Sequence, residues 1–328
     1  MGDLADRRKR TEERLAELTR CLHAAEVLAG GKACVYATGS FGRREASSHS
    51  DLDLFILGRA RSDGNGSQLT RLDEICIKAD LIEVTRQLGI PEFSGDGRYL
   101  SHYSVKDFTG TLGTPEDDVT NTFTARLLLL LESRPLVGAA VHHELTGEVI
   151  EAYWRDYPDH KSDFMPAFLA NDILRLWRTF CVNYEARTAR VPDKEKAKGK
   201  LKNYKLKHSR LLTCYSAILT LLAIYRQHKT VTPLDALEVV KLTPTERLEW
   251  ILSQCPVTGA QDGIRELLSQ YECFLSSTNR NEDDLVQQFL DKDLSREYMR
   301  RAYAFGDTLF HVLNAIGDGT RFHRLLVV

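Results

Sequence analysis

Two aspartates, Asp51 and Asp53, stand one residue apart at the mouth of an apolar stretch in the run GSFGRREASSHSDLDLFIL, residues 39–57. Like charges that close repel, so an ordinary core or surface strand gains nothing from them. On a strand, residues two apart share a face. Two carboxylates on one face are hard oxygen ligands of the kind that hold Mg²⁺ while leaving positions for water and substrate phosphates. Just upstream, ACVYAT (33–38) reads as a strand that ends in Gly39-Ser40 and enters a helix. Backbone N–H groups there, with no Cβ in the way, suit phosphate oxygens, and Ser40 adds a hydroxyl donor. A phosphate cradle beside an acidic pair is equipment for metal-assisted phosphoryl or nucleotidyl transfer. Two metal ions roughly 3.5–4 Å apart could clamp the attacking and leaving oxygens.

The elements that must position these residues form a small mixed region. Residues 4–28 carry Leu15, Leu18, Leu22 and Val27 at helical spacing and stop at Gly30-Gly31. The two strands 33–38 and 52–57 follow, the second closed by Gly58 and a polar loop. Residues 69–88 read as a helix with Leu69, Leu72, Ile75, Ala79 and Ile82 at helical spacing, and RYLSHYSV as a possible third strand. After TLGTPEDD (111–118) the pattern turns helical: about 119–134, 139–157, 165–189, 203–229, 233–242, 244–254, 260–278 and 281–316. Thr232-Pro233 and Thr243-Pro244 place a capping threonine before a proline at the first helical position, and Glu246 completes a capping box with Thr243. The expected fold is α+β: a small α/β domain with a short mixed sheet over 1–115, then an all-helical domain over 116–328.

Bulk composition sets mild limits. The formal charge is −2 with 27% charged residues, so no broad basic field announces a long nucleic acid. The seven cysteines occur singly, with no CxxC pair, which reads as reduced thiols in a cytoplasmic protein. The charged, helical N-terminus is not a signal peptide. LLTCYSAILTLLAI (211–224) falls short of the about 20 apolar residues a membrane span needs, and reads as a buried helix.

Gly39-Ser40-x-Gly42-Arg43-x-Glu45 followed by Ser50-Asp51-x-Asp53-Leu54 resembles the active-site signature of the DNA polymerase β-like nucleotidyltransferases. Within that superfamily it is most similar to the branch of the protein-PII uridylyltransferases and related signal-transduction nucleotidyltransferases. DDVTNTFTARLLLLLESRPLVG resembles the helix after that branch's catalytic core, and LKNYKLKHSRLL and TPTERLEWI resemble its lysine-bearing helix and a later segment. The resemblance implies that Asp51 and Asp53 bind Mg²⁺ or Mn²⁺ and that Gly39 and Ser40 hold an NTP. It assigns Arg43 and Glu45 to the same site; physically, Arg43 suits phosphate contact and Glu45 a structural partner for the loop. From the helical domain, Lys205, Lys207 or Arg210 would face the triphosphate, with Lys207 and Arg210, three apart, on one helical face. A solvated basic face is the plainer account of the same residues.

The superfamily also supplies a third carboxylate from a later strand, and RYLSHYSV holds none. Asp96 is the best candidate, with Glu92, Asp80 and Glu83 behind it; Asp80 and Glu83 fit solvent-facing positions on a helix. With the chain expected to end at Val328, the hydrolase and ligand-sensing domains of full uridylyltransferases have no place, so their substrate and regulation do not carry over. Elsewhere, His49 reads as a spacer, His142-His143 lacks a zinc context, and Asp172, Arg175 and Arg178 read as ion pairs at a helix interface, with stacking by Trp177 or Tyr184 a lesser option. The expected activity is NMP transfer from an NTP to a hydroxyl on a protein, small molecule, nucleotide or RNA end, with pyrophosphate leaving. The alternatives are a non-catalytic nucleotide-binding regulator of partner proteins and a second-messenger synthase or toxin of the same fold.

Overall fold

The computed structural model describes residues 3–63, 66–93, 100–186 and 192–327. The chain divides into two compact units, Met1–Arg155 and Asp156–Val328. In the first, α1 (Asp3–Cys21) and α2 (His23–Ala29) lead to β1 (Ala33–Thr38), the single turn α3 (Gly39–Gly42) and β2 (Asp53–Gly58). Then come α4 (Arg71–Gln87), β3 (His102–Ser104), α5 (Val105–Gly110), α6 (Glu116–Val119), α7 (Thr122–Glu132), β4 (Arg134–Val137) and α8 (Ala139–Tyr153). The strands are ordered β3-β2-β1-β4, with β1 antiparallel to β2 and β4, and β3 parallel to β2. A small mixed sheet followed by helices is the α+β arrangement expected.

Every residue of β1 is buried, because helices cover both faces of the sheet. On one face Ala33, Val35, Ala37, Leu54 and Ile56 pack with Leu18 of α1, Leu22 at the start of α2, and Ile77 and Leu81 of α4. On the other, Tyr36 stacks on Phe55 at 5.7 Å and meets His142 of α8 edge-on. Tyr103 and Phe108 extend that aromatic layer. The helices α5, α7 and α8 therefore belong to the first unit, and the boundary expected at residue 115 moves to 155. The strand β4 was not foreseen, since four residues including Pro135 carry little β signal. Proline is tolerated there because β4 lies at the sheet edge.

The helix α4 turns a different face inward from the one its spacing suggested. Ile77, Leu81 and Val84 are buried, whereas Leu72, Ile75 and Ile82 are 74%, 49% and 37% exposed. Both stripes are apolar, so hydrophobic spacing alone does not choose between them. Polar contacts to other elements fix the rotation: Asp80 accepts the Ala25 N–H of α2 at 2.9 Å, and Glu74 meets His102 of β3 at 3.2 Å.

The second unit is helical: α9 (Ala167–Glu185), α10 (Asp193–Lys205), a π-helical turn (Leu206–Arg210), α11 (Leu211–His228), α12 (Pro233–Lys241), α13 (Pro244–Gln254), α14 (Gln261–Ser277), α15 (Glu282–Leu290), α16 (Lys292–Gly317) and α17 (Arg321–Leu325). The apolar run expected as a buried helix is α11, enclosed by α9, α12, α13 and α16. No described helix is long and apolar enough to cross a membrane. Thr232 and Thr243 each close a capping box, with Asp235 and Glu246. Two boundaries differ from expectation. The helix α10 begins ten residues before 203, because lysine is a good helix former and Ala197, Leu201 and Tyr204 give it a buried stripe. The long helix expected over 281–316 breaks at Asp291, whose carboxylate accepts the N–H groups of Asp293 and Leu294 and starts α16.

Candidate functional site

The glycine turn and the acidic pair meet through strand register. Thr38, the last residue of β1, pairs with Asp53, the first of β2. The next residue, Gly39, has φ +63°, and a Cβ placed on it would stand 2.5 Å from Asp53 Oδ2. Only glycine lets the backbone lie against that carboxylate. Leu52, Leu54 and Ile56 point into the core shared with α1 and α4. Alternation thus puts Asp51, Asp53 and Phe55 on the opposite face. The strand starts at Asp53, so Asp51 sits in the lead-in rather than on the strand itself. Asp51 and Asp53 are both partly exposed, and Asp51 makes no hydrogen bond or ion pair with the described residues. Ser40 is partly exposed and its hydroxyl likewise has no partner among them.

The turn is set from behind by buried charges. Glu132, at the end of α7, accepts the Gly39 N–H at 3.0 Å with Oε1 and Arg43 Nη1 at 2.8 Å with Oε2. Arg43 Nε donates to Glu45 Oε2 at 2.9 Å. The Glu132 and Glu45 side chains are 0% and 1% exposed, and Arg43 is 8% exposed. Arg43 is therefore a strut beneath the turn, clamped between two carboxylates, and not an arm reaching out to phosphate. Glu45 is the loop's structural partner, as expected. A Cβ on Gly42 would collide with the Glu132 carbonyl, so the second glycine of the motif lets the turn pack on α7.

Sequence reasoning missed two supports of this turn. One is Glu132, whose only signal was a carboxylate closing a run of leucines. The other is α1, where Arg7 donates to the Glu45 carbonyl at 3.3 Å and Arg14 to the Ser47 carbonyl at 2.7 Å. Arg14 also lies over the Phe41 ring at 4.7 Å. The other end of α7 is anchored by Arg126, fully buried, which grips Asp117 through two hydrogen bonds of 2.8 and 2.6 Å and donates to Tyr153 Oη at 2.9 Å. Burial pushes the Asp117 carboxyl up, but pairing with Arg126 outweighs it and holds the group below its ordinary range.

The remaining candidates are placed as follows. Asp96 lies outside the described residues. Asp80 is committed to α2, Glu83 is exposed and accepts from Gln87, and Glu92 is exposed beside Arg86. Among the described residues no three His, Cys, Asp or Glu side chains form a metal-sized group. His49 is exposed on a serine-bonded turn. Lys207 and Arg210 belong to the second unit, and the π turn parts them. It widens the helix, so residues three apart no longer stack. Lys207 lies 4.5 Å over the Tyr303 ring of α16, and Arg210 lies 5.3 Å over the Phe180 ring of α9. The shared face expected for them does not form. Lys205 is exposed on the last turn of α10.

Comparison with known proteins adds no likeness: no family model matches the chain, and no curated protein does.

Proposed function

We propose that the first unit is a Mg²⁺- or Mn²⁺-dependent nucleotidyltransferase that moves an NMP from an NTP to a hydroxyl acceptor. The observation that carries this reading is the contact between the Gly39 turn and the Asp53 carboxylate, with Asp51 two residues away and without a partner among the described residues. Partly exposed, hard-oxygen carboxylates fit a divalent cation, which would be held by Asp51 and Asp53 and would offset triphosphate charge. With the Gly39 N–H taken by Glu132, the next N–H groups of the turn and the Ser40 hydroxyl are the donors left for phosphate oxygens. In the transfer, the acceptor hydroxyl gives up its proton to solvent, its oxygen bonds to the α-phosphorus, the bond from that phosphorus to the bridging oxygen breaks, and pyrophosphate leaves with that electron pair.

The test is incubation of the purified protein with each labelled NTP and Mg²⁺ or Mn²⁺, reading pyrophosphate release and labelled product. Asp51→Ala and Asp53→Ala should each cut turnover by at least a hundredfold, with the melting temperature held or raised, because removing one carboxylate relieves repulsion. Turnover unchanged in either variant refutes the assignment. The engagement of Asp80 with α2 favours a second reading, a nucleotide-binding regulator of partner proteins. It is distinguished by NTP binding that depends on Asp51 and Asp53 without pyrophosphate release.

A further inference from the structure

In the second unit, α10 buries Ala197, Leu201 and Tyr204 and carries its lysines outside that stripe. Lys196, Lys200, Asn203 and Lys207 stand four, three and four residues apart, so they follow one another along a single flank of the helix into the start of the π turn. At 1.5 Å per residue the three lysines span about 16 Å. Lys196 and Lys200 are exposed and Lys207 is partly exposed. Lys196 meets Asp193 at 3.4 Å, an exposed pair that contributes little. Two rings adjoin this flank. The Tyr303 ring of α16 carries Lys207 Nζ 4.5 Å from its centroid and is still 57% exposed. Tyr184 of α9, partly buried, has Asn203 at its hydroxyl and Tyr303 nearby, and Glu185 beside it marks the edge where the charge changes sign. Lysines four apart repel, so Lys196 and Lys200 weaken the helix that carries them, and a tyrosine ring left in water forgoes its burial.

We infer that this flank of the second unit binds a short stretch of single-stranded nucleic acid. Lysines in line track a phosphate backbone as point charges, and rings beside them offer stacking surfaces to unpaired bases. A duplex keeps its bases stacked on each other, so it meets the lysines and leaves the rings idle. An acidic peptide does the same. Three cations match only a few phosphates, a local fit that the overall charge of −2 does not oppose. The inference is independent of nucleotidyl transfer in the first unit and uses none of its residues.

The experiment is fluorescence-anisotropy titration of the full chain, without NTP or divalent metal, using a labelled oligouridylate of about twelve nucleotides, within the span such surfaces cover. An abasic strand of the same length, a duplex, polyglutamate and phosphatidylserine vesicles are the comparisons. The oligouridylate should bind at least tenfold more tightly than any of them. Lys200→Gln and Lys207→Gln should each weaken it at least fivefold and lower the salt dependence by about one charge. Tyr303→Ala should weaken the oligouridylate at least fivefold and leave the abasic strand unchanged, whereas Tyr303→Phe, which keeps the ring, should bind as the parent does. Lys241→Gln, on α12, should change nothing. No binding of the oligouridylate, equal binding of the abasic strand, duplex, polyglutamate or vesicles, or indifference to the Lys200, Lys207 and Tyr303→Ala variants overturns the inference.

Discussion

At the scale of single residues, the site depends on one glycine and one buried glutamate. Gly39→Ala would add a methyl group 2.5 Å from Asp53 Oδ2 at φ +63°. The left-handed conformation alone costs alanine about 1–2 kcal/mol, and the clash must move Asp53. The expected result is a modest drop in stability by urea denaturation together with loss of any NTP turnover. Glu132→Gln tests the support behind the turn. It can still accept the Gly39 N–H, but it leaves Arg43 with one carboxylate partner of the two shown. A charged hydrogen bond is worth about 1.5–3 kcal/mol, so unfolding should become easier by about that much. The approach of Asp53 to the Gly39 turn was legible because both strands and the turn between them carry their signals within a few residues. Glu132 was not, because what it touches lies 93 positions away. The role of Arg43 was misread for a related reason: a guanidinium next to a phosphate cradle looks like a ligand until its two carboxylates are seen.

At the scale of elements, what could be read was what local chemistry decides. The strand ending in Gly39 and the caps at Thr232 and Thr243 each have their signal within a few residues. The inward face of α4 does not, since two apolar stripes compete and contacts with α2 and His102 settle the matter. That assignment is checkable. Ile77→Ala should cost about 2–5 kcal/mol as a buried large-to-small change. Ile75→Ser, on the exposed stripe, should stay within about 0.5 kcal/mol. Equal losses in urea denaturation would mean that α4 is rotated. Lys207 and Arg210 show the converse limit, for a three-residue spacing implies a shared face only while the helix keeps its regular pitch.

For the whole molecule, each unit encloses a histidine that folding keeps neutral, half-buried in the first and buried in the second. His142 in the first unit is lowered to about 4 by burial, helped by the charges of Arg134 and His143. His208 in the second is lowered to about 4 by burial between Phe274 and Phe305, against a raising hydrogen bond that its ring donates to the Tyr204 carbonyl. A histidine with a depressed folded pKa favours the unfolded chain when protons are abundant, because the unfolded state binds them first. Stability from both groups is therefore full above the ordinary histidine pKa of about 6.5. It falls as pH drops toward about 4 and levels off below, where both states are protonated. Melting temperatures measured across that window should decline, and a flat profile would contradict the burial of both rings. His142→Asn should reduce the slope by part of its value, His208 supplying the rest.

The hydrogen bond from Gly39 to Glu132 also has a meaning for the order in which the chain is made. During synthesis α1, the glycine turn and both aspartates leave the ribosome well before residue 132. Until α7 follows, the nascent polypeptide holds the chemical groups of the site without the carboxylate that sets their backbone. A fragment ending near residue 115 is in the same condition permanently: it contains Gly39, Ser40, Asp51 and Asp53, yet lacks Glu132, β4 and the helices that cover the second face of the sheet. The first unit, through Arg155, is the stretch that keeps Glu132 and the helices covering the second face together with the turn.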